Sequence, residues 1–276
     1  MYFPRTCPQC RKHTAMILLA LFLFLTGCGT MGNSRRWGED ATLVPGWSKI
    51  GESAYNAVTS PRFYVPAAAA LLLSIGNADE RISDWAMEHT PVFGSMERAG
   101  RMSDDFRSVS SYAMYLSMLL APSGDEPVDW AVSKLKGALV QHAAFALNRE
   151  VVDGIKAATG RERPNGDNHK SFPSGHAANV AAFTNLASRN VDAMNIPQGA
   201  KTALDVGMYA LAAATAWARV EAGAHYPTDV LAGMAQGYFI TSFINDAFLG
   251  TGEDGSGGPV AGYDGRRLFI GYSLRF

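Results

Sequence analysis

Residues 199–249, GAKTALDVGMYALAAATAWARVEAGAHYPTDVLAGMAQGYFITSFINDAFL, fall into two runs, 199–221 and 228–249, dense in Ala, Leu and aromatics and free of apolar/polar alternation. Both read as helices. Pro227 suits the first helical position of the second run, where its missing N–H costs no hydrogen bond. Working outward, the same texture recurs at 66–76, 80–89, 108–121, 128–159 and 176–189, again without a strand pattern. The stretch from about Trp47 to Leu249 therefore reads as one all-α domain, a helical bundle.

Long uncharged runs within it include 63–78, 108–124, 206–218 and 230–245, and the second contains Pro122 and several Ser. None reaches the roughly 20 apolar residues of a confident bilayer span. Buried core helices explain these runs better than a polytopic membrane protein. Across all 276 residues, 24 Lys plus Arg face 25 Asp plus Glu, a formal charge of -1, so no basic field exists to attract nucleic acid. The 47% hydrophobic and 18% charged composition excludes wholesale disorder and points toward a membrane address.

That address is expected at the N-terminus. Arg5, Arg11, Lys12 and His13 precede the apolar run Ala15 to Leu25, the basic and hydrophobic regions of a secretory signal too short to span a bilayer. Leu25-Thr26-Gly27-Cys28 then resembles the bacterial lipobox, which implies lipidation of Cys28 and a signal peptide over residues 1–27. Cys7 and Cys10 would leave with the signal, so their C-x-x-C spacing, which lacks a second ligand pair, does not read as a zinc site. The mature chain keeps 21 Lys plus Arg against 25 Asp plus Glu. Gly29 rather than Asp after the Cys favours the outer membrane, with the body facing the periplasm. Residues 28–46 read as a lipidated tether and 250–276 as a Gly-rich linker ending in a strand or hairpin. In that ending Leu268, Ile270, Tyr272, Leu274 and Phe276 alternate onto one face. One strand cannot close a membrane barrel, and no series of similar segments precedes it.

Three polar clusters interrupt the apolar helices. Lys156 is followed after six residues by Arg163-Pro164, with Gly160 placed to end one helix and Pro164 preventing its resumption. Pro173-Ser174-Gly175-His176 leads into a helix, with Ser174 as N-cap and Gly175 allowing close approach of an anion to unpaired N–H groups. Arg219, five residues, His225, three residues and Asp229 place a His at a helix entrance with a carboxylate able to orient its ring. Each cluster alone has an ordinary structural explanation.

Together, in that order, they resemble the three signature motifs of the type 2 phosphatidic acid phosphatase superfamily, which includes lipid phosphate phosphatases, bacterial acid phosphatases and vanadium haloperoxidases. Every position matches except that Ala218 stands where Ser is usual before the Arg. The resemblance implies that His225 is the nucleophile, that Asp229 fixes its tautomer and that His176 protonates the leaving alkoxide. It further implies that Lys156, Arg163, Arg219, Ser174 and the Gly175 N–H hold the phosphoryl oxygens, with no metal and no cofactor. A phosphatase of membrane lipid phosphates or diphosphates is expected, working through a phosphohistidine. Phosphatase activity on soluble phosphomonoesters, a vanadate-dependent haloperoxidase and an envelope scaffold with a degenerate pocket are the alternatives. Head-group preference and oligomeric state are not legible in the sequence.

Overall fold

The structure, a computed structural model, describes residues 27–250 together with the backbone of 259–263 and 268–272. All but the last residue of the expected signal peptide 1–27, and residues 251–258, 264–267 and 273–276 of the expected linker and strand, lie outside the described residues. The helices are α1 (Trp47–Thr59), α2 (Pro61–Leu73), α3 (Ala78–His89), α4 (Met96–Leu120), α5 (Pro127–Thr159), α6 (Gly175–Asp192), α7 (Gln198–Glu221) and α8 (Pro227–Ile244), the last continued by a π turn, Asn245–Leu249. Strands β1 (Pro259–Tyr263) and β2 (Leu268–Tyr272) pair antiparallel, with Ala261 opposite Ile270. The all-α reading holds.

The helix expected at 66–76 runs instead over Pro61–Leu73, and two larger differences stand beside it. Helix α1 falls where no helix was expected, and α4 begins at Met96 rather than near residue 108. The first half of α4 carries Glu97, Arg98, Arg101, Asp104, Asp105 and Arg107, which mask its helical period when apolar density is the guide. Ser95 caps it by accepting from the Arg98 N–H.

Residues 28–46, expected to be a tether, are instead docked on the body. Trp37 is fully buried, its main-chain N–H donates to the Pro122 carbonyl, and the Thr42 main-chain N–H donates to the Phe248 carbonyl. The indole fills a slot over Gly137, where a Cβ would stand 2.3 Å from the ring. The sequence signal missed was a single Trp inside a polar stretch.

Helix α6 is the axis of the bundle, flanked by α4, α5, α7 and α8. It is buried along almost its whole length from Ala177 to Val191. Its closest neighbour is α8, because Gly233 and Gly237 let the backbones touch. A Cβ there would fall 2.5 Å from the Ser174 carbonyl and 2.3 Å from that of Ala178. This contact seats the start of α6 against the start of α8. Polar side chains inside the bundle are paired across helices: Asn185 with Thr241 and Ser242, Gln141 with Asn190, and Arg189 with Asp246. Among the described residues no helix is long and apolar enough to cross a membrane.

Candidate active site

The three clusters converge at one end of the bundle. Helix α5 stops at Gly160, whose φ of 55° is left-handed and whose N–H closes on the Lys156 carbonyl. The loop that follows is pinned by backbone bonds from Asn165 to Gly223 and from Ser171 to Arg161. Ser174 caps α6 at Ala177, while its own N–H donates to the Asp229 carbonyl at 2.9 Å. Lys156 runs alongside Gly175, with Cε 3.8 Å from where a Cβ would stand, and its ammonium donates to the Lys170 carbonyl.

His225 is 2% exposed. Its Nδ1 lies 2.7 Å from the Ser171 carbonyl and 3.8 Å from Asp229 Oδ2. A carbonyl can only accept, so Nδ1 carries the proton and Nε2 keeps its lone pair. The tautomer is therefore fixed first by a main-chain carbonyl, and Asp229 acts on the ring from the longer distance. Burial above all holds the imidazole down at about 4, assisted by Arg219 and Lys156, against the pull of Asp229.

Asp229 is fully buried and well supplied with donors: Arg161, the Ser171 hydroxyl and the Tyr226 N–H. Arg161 bridges it to Asp79 and lies 4.0 Å from the Tyr226 ring centroid. Asp79 in turn receives the N–H and hydroxyl of Thr228. The sequence reading missed Arg161, although it stands two residues before Arg163 in the same cluster. It had no local signal for Asp79, some 150 residues from its partner.

His176 Nε2 lies 2.7 Å from Asp104 Oδ1 on α4. Burial first, then Arg219, hold this imidazole at about 4, while Asp104 opposes the shift. Asp104 is the third residue the sequence did not yield, because it sits in the charged half of α4.

The cations are under strain of their own making. Lys156 is pushed down to about 8 by burial and by Arg163, and Arg219 to about 10 by burial and by Arg163. Arg219 donates to the Ser103 hydroxyl and Arg163 to Asp167, yet the Nε atoms of both are buried without a hydrogen-bond partner. Unpaired buried donors on mutually repelling cations are what a bound oxyanion would satisfy. Among the described residues, no group of three or more His, Cys, Asp or Glu converges as metal ligands would.

A cavity of about 430 Å³ adjoins this end, reached by Lys156, Gly175 and His176 and flanked by α4 and α5. With the geometry described, the family model of the PAP2 superfamily matches residues 137–249. This segment is similar to the PAP2 superfamily. The match takes in Lys156, Arg163, Ser174, Gly175, His176, Arg219, His225 and Asp229, so the PAP2 segment holds every expected site residue apart from Cys28. A solved structure titled as the first transmembrane PAP2 type phosphatidylglycerolphosphate phosphatase from Bacillus subtilis superposes with a TM-score of 0.51 at 20% identity, covering 69% of this chain and 94% of that one. The likeness extends the PAP2 fold beyond the matched segment. No curated protein matches the chain. The PAP2 match supports a phosphatase, and Asp104, Arg107 and Asp79 bring side chains from outside the matched segment to its site.

Proposed function

We propose that this protein is a phosphatase that removes phosphomonoester or diphosphate groups from membrane lipids through a phosphohistidine. The observation carrying the reading is the His225 tautomer: a buried imidazole with Nδ1–H committed to the Ser171 carbonyl and Nε2 left nucleophilic, beside Lys156, Arg163 and Arg219. Nε2 attacks phosphorus and forms the N–P bond as the P–O bond to the leaving group breaks. The three cations and the Gly175 N–H neutralise the equatorial oxygens, the electrostatic help that dominates phosphoryl transfer. His176 gives its proton to the departing alkoxide. A phosphate dianion between His176 and the cations raises the imidazole from about 4, so the proton needed is retained in the complex, and Asp104 holds the imidazolium. Water then attacks the phosphohistidine and regenerates His225.

The test is phosphate release by the purified protein from lipid phosphates, lipid diphosphates and soluble phosphomonoesters. Release from lipids that survives EDTA and is blocked by vanadate supports this mechanism. Release from soluble esters alone favours the soluble-substrate reading. Loss in EDTA with recovery on adding a divalent ion overturns metal independence.

The envelope location is part of the same proposal, with lipid on Cys28 holding the body at the periplasmic face of the outer membrane. Cys28 lies where the chain joins the body, since Gly27 and Gly29 carbonyls accept from the Ser123 and Gly124 N–H groups. Lipid chains contribute roughly 0.8 kcal/mol per buried methylene, so a multiply acylated Cys is a firm anchor. Cys28→Ser is expected to abolish acylation, read by mass spectrometry, and to move the chain from the membrane to the soluble fraction. A Cys28→Ser chain that stays in the membrane through alkaline washing contradicts a lipid-only anchor.

A further inference from the structure

The cavity beside the site has features that cleavage of a single phosphate does not require. Its walls carry Arg107, Ser108 and Ser111 from α4, Arg149 and Asp153 from α5, and Asn179 from α6. Arg107 and Arg149 are exposed at the cavity rim, and among the described residues neither has an ion pair or side-chain hydrogen bond, whereas Arg62, Arg161 and Arg189 are each tied to a carboxylate. Asp153 supplies the one carboxylate of that lining, and it is felt by Lys156. With Lys156 the cavity therefore gathers three cations against one anion.

The positions are ordered along the helices. Arg149 is seven residues before Lys156, two turns on the same face of α5, or roughly 10 Å along the axis. Arg107 is three residues beyond Asp104, the partner of His176, and its charge is felt by both His176 and Arg219. The two guanidiniums thus reach the cavity from different helices, α4 and α5, and the Ser108 and Ser111 hydroxyls and the Asn179 amide, whose oxygen accepts from Asn148, line the same cavity. Two unpaired forks facing one concavity suit an oxyanion with bidentate capacity.

Building on the phosphatase reading, we propose that Arg107 and Arg149 form a second anion subsite, selecting substrates that carry a phosphate-type anion separated by a short spacer from the phosphoryl group being removed. An anhydride-linked second phosphate stays within reach of Lys156 and Arg219. A spacer of a few carbons carries the second anion out to the two arginines.

Direct binding tests this without turnover. Calorimetry of the full-length protein compares propane-1,3-bisphosphonate with propylphosphonate, neither of which can be hydrolysed. The expected result is at least about tenfold tighter binding of the bisphosphonate, with Arg149→Gln closing most of that gap while leaving propylphosphonate affinity unchanged. Arg149→Lys, which keeps the charge without the fork, restores part of it. Equal affinities in the native protein, or a gap that Arg149→Gln leaves intact, overturns the subsite. Turnover of matched lipids separates the two readings: phosphatidic acid has one anion, and phosphatidylglycerol phosphate has a phosphodiester three carbons from its phosphomonoester. Hydrolysis of both lipids without a preference lost in Arg149→Gln sinks the subsite alone. A bisphosphonate gap in a protein that releases no phosphate from either lipid sinks the phosphatase and leaves the subsite standing.

Discussion

On the proposed mechanism, His225→Ala is expected to abolish phosphate release, with kcat lowered by about 10⁴-fold or more, because loss of the nucleophile leaves only the electrostatic cradle to act on bound substrate. The fold survives, since the ring's direct bond is one contact to the Ser171 carbonyl. Rapid denaturing quench of the native protein with substrate at alkaline pH should trap an alkali-stable, acid-labile phosphoenzyme that the variant lacks. Full activity in the variant removes His225 from the chemistry. The pH profile adds an independent reading. With an aryl phosphate, whose leaving group departs without a proton, His225 must be neutral and Lys156 charged. Held at about 4, His225 stays competent well into the acid range. Held at about 8, Lys156 loses its charge as pH rises through that value, so kcat/KM falls on the alkaline side. Lys156→Arg is expected to move the alkaline limb upward, and an unmoved limb would assign it to another group.

Asp229→Ala produces the largest loss of stability expected in the molecule, about 3–5 kcal/mol, because removing one partner of a buried ion pair strands the other. Arg161 keeps Asp79, the Thr228 hydroxyl and the Tyr226 ring but loses its buried carboxylate, and the Tyr226 N–H and Ser171 hydroxyl lose their acceptor. Burial works to raise this carboxylate, but His225, Ser171, Arg161 and the Tyr226 N–H together hold it below its ordinary range, so its contribution is present above the unfolded value near 3.8 and fades as pH falls below it. Denaturant unfolding at pH 7 and pH 3 checks both points. Native protein should lose stability on acidification, and the variant should show a smaller loss. Activity falls with it through the His225 ring, so Asp229→Asn, which keeps the shape and an acceptor, separates the two effects. A mild destabilisation in Asp229→Ala would mean that Arg161 finds enough compensation in Asp79 and the Tyr226 ring.

The extent of foresight follows from the range of the interactions involved. Lys156, Arg163, Ser174, Gly175, His176, Arg219, His225 and Asp229 are legible in the sequence because each cluster is short and depends on local rules. A Gly stops a helix, a Ser or Pro starts one, and a first-turn carboxylate meets the residue three before it. Helical class is legible for the same reason, through apolar density without alternation. The start of α4 and all of α1 were not, because their polar residues dilute that density until the partner helices are known.

By itself, then, the sequence determined the helical class, the resemblance in its three motifs and the residue types available for phosphoryl chemistry. Only the tertiary structure decided which main-chain carbonyl fixes the His225 tautomer, that Asp104 faces His176, that Arg161 and Asp79 brace Asp229, and that Trp37 makes part of the core from a stretch that reads as a tether. These contacts join segments tens to more than a hundred residues apart, and they exist because Gly233 and Gly237 bring α8 onto α6 and Gly137 opens a slot for an indole. Local propensity specifies each helix and its ends. Which faces meet, and so which polar groups share a low-dielectric site, is fixed by packing of the whole bundle, a property that no window of sequence contains.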